Sequence, residues 1–194
     1  MRNLLAVASI FGLIVLSSPA LGDAAQHIPM CNGCHGADGA TSPMPDTPII
    51  AGIDAFVQEE ALFAYREGER ECWPPGMMCQ ISASLSDDDI VELAVYYSEF
   101  PYKLAEEDFD ATLAAEGEKI YNKDCAICHG TDGPGDPESS IVHGQKVAYL
   151  RAVMLQYAAG ERAQPPAMQE TVSALTPEET EAVLNYFASY RGSK

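Results

Sequence analysis

The stretches Cys31-Asn32-Gly33-Cys34-His35 and Cys125-Ala126-Ile127-Cys128-His129 each set two thiols three residues apart, with an imidazole directly after the second. Cys-x-x-Cys-His is the attachment signature of c-type haem. The thiols add across the two vinyl groups of the porphyrin, and the histidine coordinates iron from one face. Other uses of the pairs fit less well. A thioredoxin-like pair sits beside a βαβ pattern, which this chain lacks. A four-cysteine zinc site leaves the histidine after each pair without a purpose. The residues predict two covalently bound haem c groups, held by Cys31, Cys34, Cys125 and Cys128, with His35 and His129 on the irons.

A sixth ligand should be the same residue type at a matching place in both copies. After His129, the run Gln164-Pro165-Pro166-Ala167-Met168 offers Met168; after His35, Pro74-Pro75-Gly76-Met77-Met78 offers two methionines. A methionine on a long loop is usually core filler, and its recurrence after paired prolines argues for a ligand. Counted forward from the prolines, the match is Met77. Counted back from the next helix, at Leu85 and Leu175, it is Met78. The helix start is the better ruler, because its packing fixes the distance back to the ligand, so Met78 and Met168 are expected on the irons. His/Met ligation raises the reduction potential and leaves no open coordination position, which suits outer-sphere electron transfer without catalytic residues.

Cys72 and Cys79 flank the first methionine pair. The expected arrangement is a disulfide fixing the ligand loop, with loop closure contributing on the order of 2 kcal/mol. The alternative is an axial or catalytic thiol. His27 and His143 are unrepeated and read as surface residues or as supports to a ligand.

The elements that must position these groups are duplicated. "IIAGIDAFVQEEALFAYREGER" (49–70) aligns without gaps on "IVHGQKVAYLRAVMLQYAAGER" (141–162), matching Gly52 with Gly144, Tyr65 with Tyr157 and Arg70 with Arg162. "LSDDDIVELAVYYSEF" (85–100) falls on "LTPEETEAVLNYFASY" (175–190). Three blocks in one order in both halves mean a duplicated globular domain rather than a solenoid. Apolar spacing predicts helices around Gln58 to Tyr65 and Tyr149 to Tyr157. Ser86 before three aspartates, and Thr176-Pro177-Glu178-Glu179, are helix starts. Phe109 to Tyr121 gives a further helix ahead of the second motif. Ahead of the first only Asp23 to Met30 remain, and Pro29 limits helix there. No strand pattern competes, so the chain reads as all-α: residues 23–100, a linker at 101–108, and residues 109–194.

The first 22 residues read as a secretory signal: Arg2, an apolar run from Leu4 to Leu16, and Ala20-Leu21-Gly22 before a cleavage point at Asp23. That run is too short to span a bilayer, so an exported, periplasmic product with no membrane span is expected. Its removal takes one cation and no acid from a chain of formal charge −18. That excludes a nucleic-acid binder, and fits a basic partner surface, solubility in brine or a merely solvated acidic coat.

Each half resembles a class I cytochrome c domain, and the tandem arrangement resembles the dihaem cytochrome c4 family, with the domains related by approximate two-fold symmetry. A closer likeness is to the cytochrome subunit of flavocytochrome c sulfide dehydrogenase, carried by "YYSEFPYKLAEEDFDATLAAEGEKIYNKDCAICHG" (96–130), including Phe109-Asp110 and Gly117. That resemblance implies a subunit that takes electrons from an FAD-containing, sulfide-oxidising partner and passes them to a small acceptor cytochrome or an oxidase. A free-standing c4-like carrier and a dihaem thiosulfate-oxidising or peroxidase-type enzyme are the alternatives. The family also implies a proline whose carbonyl orients the ligand histidine. Pro48 occupies that place, but the second copy has Ser140, so the orientation of His129 should come from another group or be looser.

Overall fold

The computed structural model describes residues 23–72, 76–131, 139–162 and 165–192. The expected signal peptide lies outside them, as do Trp73, Pro74 and Pro75 of the first ligand loop. A 3-10 turn, Asp23–Gln26, leads into α1 (Ile28–His35), α2 (Ala55–Glu67), α3 (Met77–Ser82) and α4 (Asp87–Ser98). The second half carries α5 (Ala111–Asp124), α6 (Ala126–His129), α7 (Val147–Ala159), α8 (Pro166–Ser173) and α9 (Pro177–Ser189). Among the described residues there is no strand, only one isolated antiparallel bridge between Arg70 and Arg162. The all-α reading holds.

Local chemistry explains the boundaries. Ser86 and Asp89 form a reciprocal capping box at the start of α4, and Thr176 and Glu179 form its counterpart at α9. Asp54 caps α2 by accepting from the Phe56 amide, and Asp110 caps α5 by accepting from Thr112 and Leu113. Pro29 sits in the first turn of α1 instead of limiting it. At that position its missing N–H removes no helical bond. Both methionine segments, expected as loop, are short helices: α3 starts at Met77 and α8 includes Met168.

The two cores differ in extent. Tyr121, Leu150, Met154, Tyr157, Val172, Val183, Leu184 and Phe187 make the second. The first is Ala24, Leu85, Ile90, Leu93 and Tyr97. In the second half α5 runs along α9, and a Cβ on Gly117 would lie 2.0 Å from the Ala182 carbonyl oxygen. Only glycine lets the backbones approach this closely. In the first half the 3-10 turn takes the place beside α4, with Ala24 fully buried.

The halves meet along a polar seam. The Gln145 side chain accepts from the Ile49 amide and donates to the Ile49 carbonyl, both at 2.8 Å. Lys146 Nζ donates to the carbonyls of Ser42 (2.7 Å) and Met44 (2.6 Å). The Glu71 amide donates to the Glu161 carbonyl at 3.0 Å. The segment between α4 and α5 crosses this seam and passes both members of the repeated glycine pair. A Cβ on Gly52 would meet the Tyr102 amide nitrogen at 2.5 Å, and one on Gly144 would meet Leu104 at 2.4 Å. Both glycines also have positive φ, 69° and 66°. Their repetition thus reflects one chain segment passing close to both halves.

Candidate haem centres

Each Cys-x-x-Cys-His run ends a helix with its histidine as the last residue: His35 closes α1 and His129 closes α6. The next residues, Gly36 and Gly130, turn the chain away at φ of 86° and 73°. His35 is 7% exposed and donates Nδ1–H to the Pro48 carbonyl at 2.9 Å. His129 donates Nδ1–H to the Ser140 carbonyl at 3.0 Å. Burial lowers the pKa of both imidazoles, against an opposing effect of the carbonyl bonds. Both rings are therefore neutral, protonated on Nδ1, and keep the Nε2 lone pair for a metal. A backbone partner on the distal ring nitrogen is the usual way a histidine ligand is oriented.

The expectation that another group orients His129, or that it is held more loosely, is thus overturned. The acceptor is a backbone carbonyl, and serine supplies one as well as proline does. The two bonds differ by 0.1 Å.

Tyrosines tie the motif segments to the long helices, a role the residue pattern does not reveal. Tyr97 of α4 donates to Asn32 Oδ1 at 2.7 Å, and Tyr121 of α5 donates to the Gly130 carbonyl at 2.5 Å. His143 is not a surface residue: it is fully buried, with ring centres 4.7 Å from Tyr121 and 4.8 Å from Tyr190. His27 is half-buried, with Nε2 3.6 Å from the Asp89 carboxylate.

Cys31, Cys34, Cys125 and Cys128 are free thiols, whereas Cys72 and Cys79 form a disulfide with Cα atoms 5.9 Å apart. This leaves the four motif cysteines for thioether bonds and removes Cys72 and Cys79 from the candidate ligands. Cys31 packs against the first core, while Cys125 and Met168 both pack against the second. Met78 is half-buried in α3, which packs on α2, but it is not among the residues against the first core. Its neighbour Met77 is 47% exposed. Free thiol pairs, neutral histidines with an open Nε2 and methionines at helix starts are the donor set that covalent haem requires, so the residues fit the group.

Known proteins agree with this chemistry. The family model described as cytochrome c oxidase, cbb3-type, subunit III matches residues 112–187. The chain is 32% identical over 171 residues to the thiosulfate dehydrogenase electron acceptor of Stutzerimonas stutzeri, covering 82% of this chain and 78% of that protein. Its fold matches the crystal structure of reduced recombinant cytochrome c4 from Pseudomonas stutzeri with a TM-score of 0.73 and 25% identity, over 88% of this chain and 100% of the other. It also matches a thiosulfate dehydrogenase structure from Marichromatium purpuratum with a TM-score of 0.69 and 26% identity, over 82% of this chain and 36% of that one. The chain therefore belongs to the dihaem, cytochrome c4-like class I cytochromes: an electron-transfer protein of tandem cytochrome c domains carrying two covalently bound haem c groups.

Proposed function

We propose that the protein is an exported, periplasmic carrier that accepts electrons from a sulfur-compound dehydrogenase and passes them to a small acceptor cytochrome or an oxidase. The observation that carries this reading is the repeated, carbonyl-held neutral histidine following each free thiol pair. On this reading Cys31 and Cys34 would hold the first haem, with His35 and Met78 as the donors to its iron. Cys125 and Cys128 would hold the second, with His129 and Met168. Residues 23–100 and 109–194 are the two haem domains, 101–108 join them, and residues 1–22 are removed before Asp23.

The exposure of Met77 supports Met78 as the first thioether donor. Bound haem supplies reversible one-electron storage. The chain's own contribution is to hold each imidazole at Nδ1 through a backbone carbonyl, and Met78 and Met168 would supply a second protein donor to each iron, keeping substrates off the metal. The formal charge of −18 favours docking on a basic partner face.

The donor best supported is a thiosulfate dehydrogenase, since the Stutzerimonas relative is named as the electron acceptor of one and the fold matches 36% of the chain of a thiosulfate dehydrogenase structure. An FAD-containing sulfide dehydrogenase subunit is the second reading, supported by the resemblance of residues 96–130 to the cytochrome subunit of that complex. Stopped-flow reduction distinguishes them. Thiosulfate with its dehydrogenase should reduce both haems of the chain. Reduction only by sulfide, through a co-purifying flavoprotein, selects the second reading, and reduction by neither rejects both. For the ligands, Met78→Ala should abolish the red charge-transfer band of one ferric haem while Met77→Ala retains it. The reverse result moves the ligand to Met77.

A further inference from the structure

The duplication provides a reference for each groove between helices, because the other half shows the same groove with different residues. In the second half, α7 and α9 are tied by an ion pair: Arg151 Nε and Nη2 donate to the Glu181 carboxylate at 3.0 and 2.7 Å. In the repeat Arg151 aligns with Glu59 and Glu181 with Val91, so the first half cannot form that pair. Its helices α2 and α4 are tied further along, where Arg66 Nη1 meets Asp87 Oδ1 at 2.8 Å and the Leu85 carbonyl at 3.3 Å. Passing from the 66–87 tie to the 59–91 position goes back along α2 and forward along α4, so the two helices run antiparallel. One further turn of each puts Phe56 level with Val95.

What the first half places along this groove is apolar and open. Phe56 is 51% exposed, Val91 40% and Val95 42%. Their counterparts are Ala148, Glu181 and Asn185, and Asn185 is itself engaged, accepting from the Asp110 amide at 2.8 Å. The half that leaves the groove uncovered therefore carries the larger apolar side chains there, the reverse of what solubility alone requires. Single exposed apolar residues need no explanation, but a group of them with a polar edge marks a contact surface. The edge here is acidic, with Glu59 and Glu60 on α2 and Asp87 and Asp88 on α4. Residues 23–100 contain 14 acids against two arginines, while residues 109–194 contain 12 acids against seven lysines and arginines.

We infer that the α2–α4 groove of the first half docks a small basic electron-transfer protein, whose own face has an apolar centre ringed by lysines. An apolar centre inside a polar rim is the ordinary anatomy of such a contact. The sign of the rim names the partner and speeds its approach, while Phe56, Val91 and Val95 hold it once it arrives. The inference rests on the reading of the chain as an electron carrier and is independent of which enzyme donates electrons.

The test uses the holoprotein and, as probe, a lysine-rich mitochondrial-type cytochrome c at low ionic strength. A water-soluble carbodiimide joins carboxylates to lysines in contact. Mass spectrometry of the wild-type product should find Glu59, Glu60, Asp87 or Asp88 joined to the probe. Cross-links confined to acids of residues 109–194 overturn the proposal, and so does the absence of any cross-link. Calorimetric affinities then separate the apolar centre from general charge. Phe56→Ala with Val95→Asn gives the groove what the second half has there, and should weaken binding about tenfold with its salt dependence unchanged. Glu60→Ala with Asp88→Asn should weaken it roughly fivefold and make the salt dependence shallower. Removing as much charge from the second half, by Glu170→Ala with Glu178→Ala, should change the affinity by less than about twofold, since charges beyond the contact are screened. An equal loss from the second-half pair, or no loss from Phe56→Ala with Val95→Asn, overturns the groove. The carrier reading fails separately: reduced wild type, freed of reductant, would then bind the oxidised probe in the groove and pass it no electron.

Discussion

In the second half, α5 lies so close along α9 that Gly117 has no room for a methyl group. In the first half the equivalent support is a single 3-10 turn that buries Ala24 beside α4. Despite this difference, the two candidate ligand histidines meet their carbonyls at 2.9 and 3.0 Å. The geometry next to the iron is thus set locally, by the turn after each Cys-x-x-Cys-His run and the carbonyl that follows, while the helical scaffold is free to diverge. The half with the shorter opening segment is also the one with a disulfide, Cys72–Cys79, across its methionine segment. That bond joins α3 to the seam, because Glu71, next to Cys72, bonds the Glu161 carbonyl and receives a bond from Gln156.

The strongest way to break the comparison is Gly117→Ala. The added carbon collides with backbone, not with a flexible side chain, and the expected loss is about 3 kcal/mol, at the upper end for overpacking. Denaturant unfolding followed by circular dichroism and haem absorbance should place that loss in the second half. Removing the covalent tie, by Cys72→Ser with Cys79→Ser, should cost about 2 kcal/mol. One of the two ferric charge-transfer bands should then bleach at lower denaturant while the other holds.

The capping boxes sharpen the comparison, because they are alike in both halves. Ser86→Ala and Thr176→Ala should each cost about 1 kcal/mol. Bonds from the Ser86 hydroxyl and amide hold the Asp89 carboxyl below its ordinary pKa. Its stabilisation is complete above that ordinary value and fades as pH falls through the depressed one. Stability measured against pH should therefore show a shallower acid limb in Ser86→Ala. The smallest effect belongs to Ser140→Ala. The bond to His129 uses a main-chain oxygen, so the change should stay within roughly 0.5 kcal/mol and leave the haem spectrum as it is.

Signals confined to a few neighbouring residues could be read directly from the chain. Ser86, Thr176 and Pro177 marked helix starts, and the spacing of Cys31, Cys34 and His35 named a cofactor. Contacts between distant segments could not. A side chain's identity says nothing about where its own carbonyl points, which is why Ser140 was misjudged. His143 was read as a surface residue or a support to a ligand, but its surroundings come from α5 and α9, which only folding brings together. Arg70 and Arg162 were visible as a repeated Gly-Glu-Arg, yet their meeting across the seam depends on how the halves dock. The methionine segments were read as loop because their prolines mask helices that start at Met77 and at Pro166.

The bridge between Arg70 and Arg162 pairs a residue with its own duplicate. Self-pairing of this kind is what two identical subunits show at a dimer axis. Such a face works before any gene fusion, because one surface serves as both key and lock. Tandem duplication then has only to supply a tether. Once the copies are joined, each is free to accumulate its own changes, so that Tyr149 stands on one side where the other has Val57.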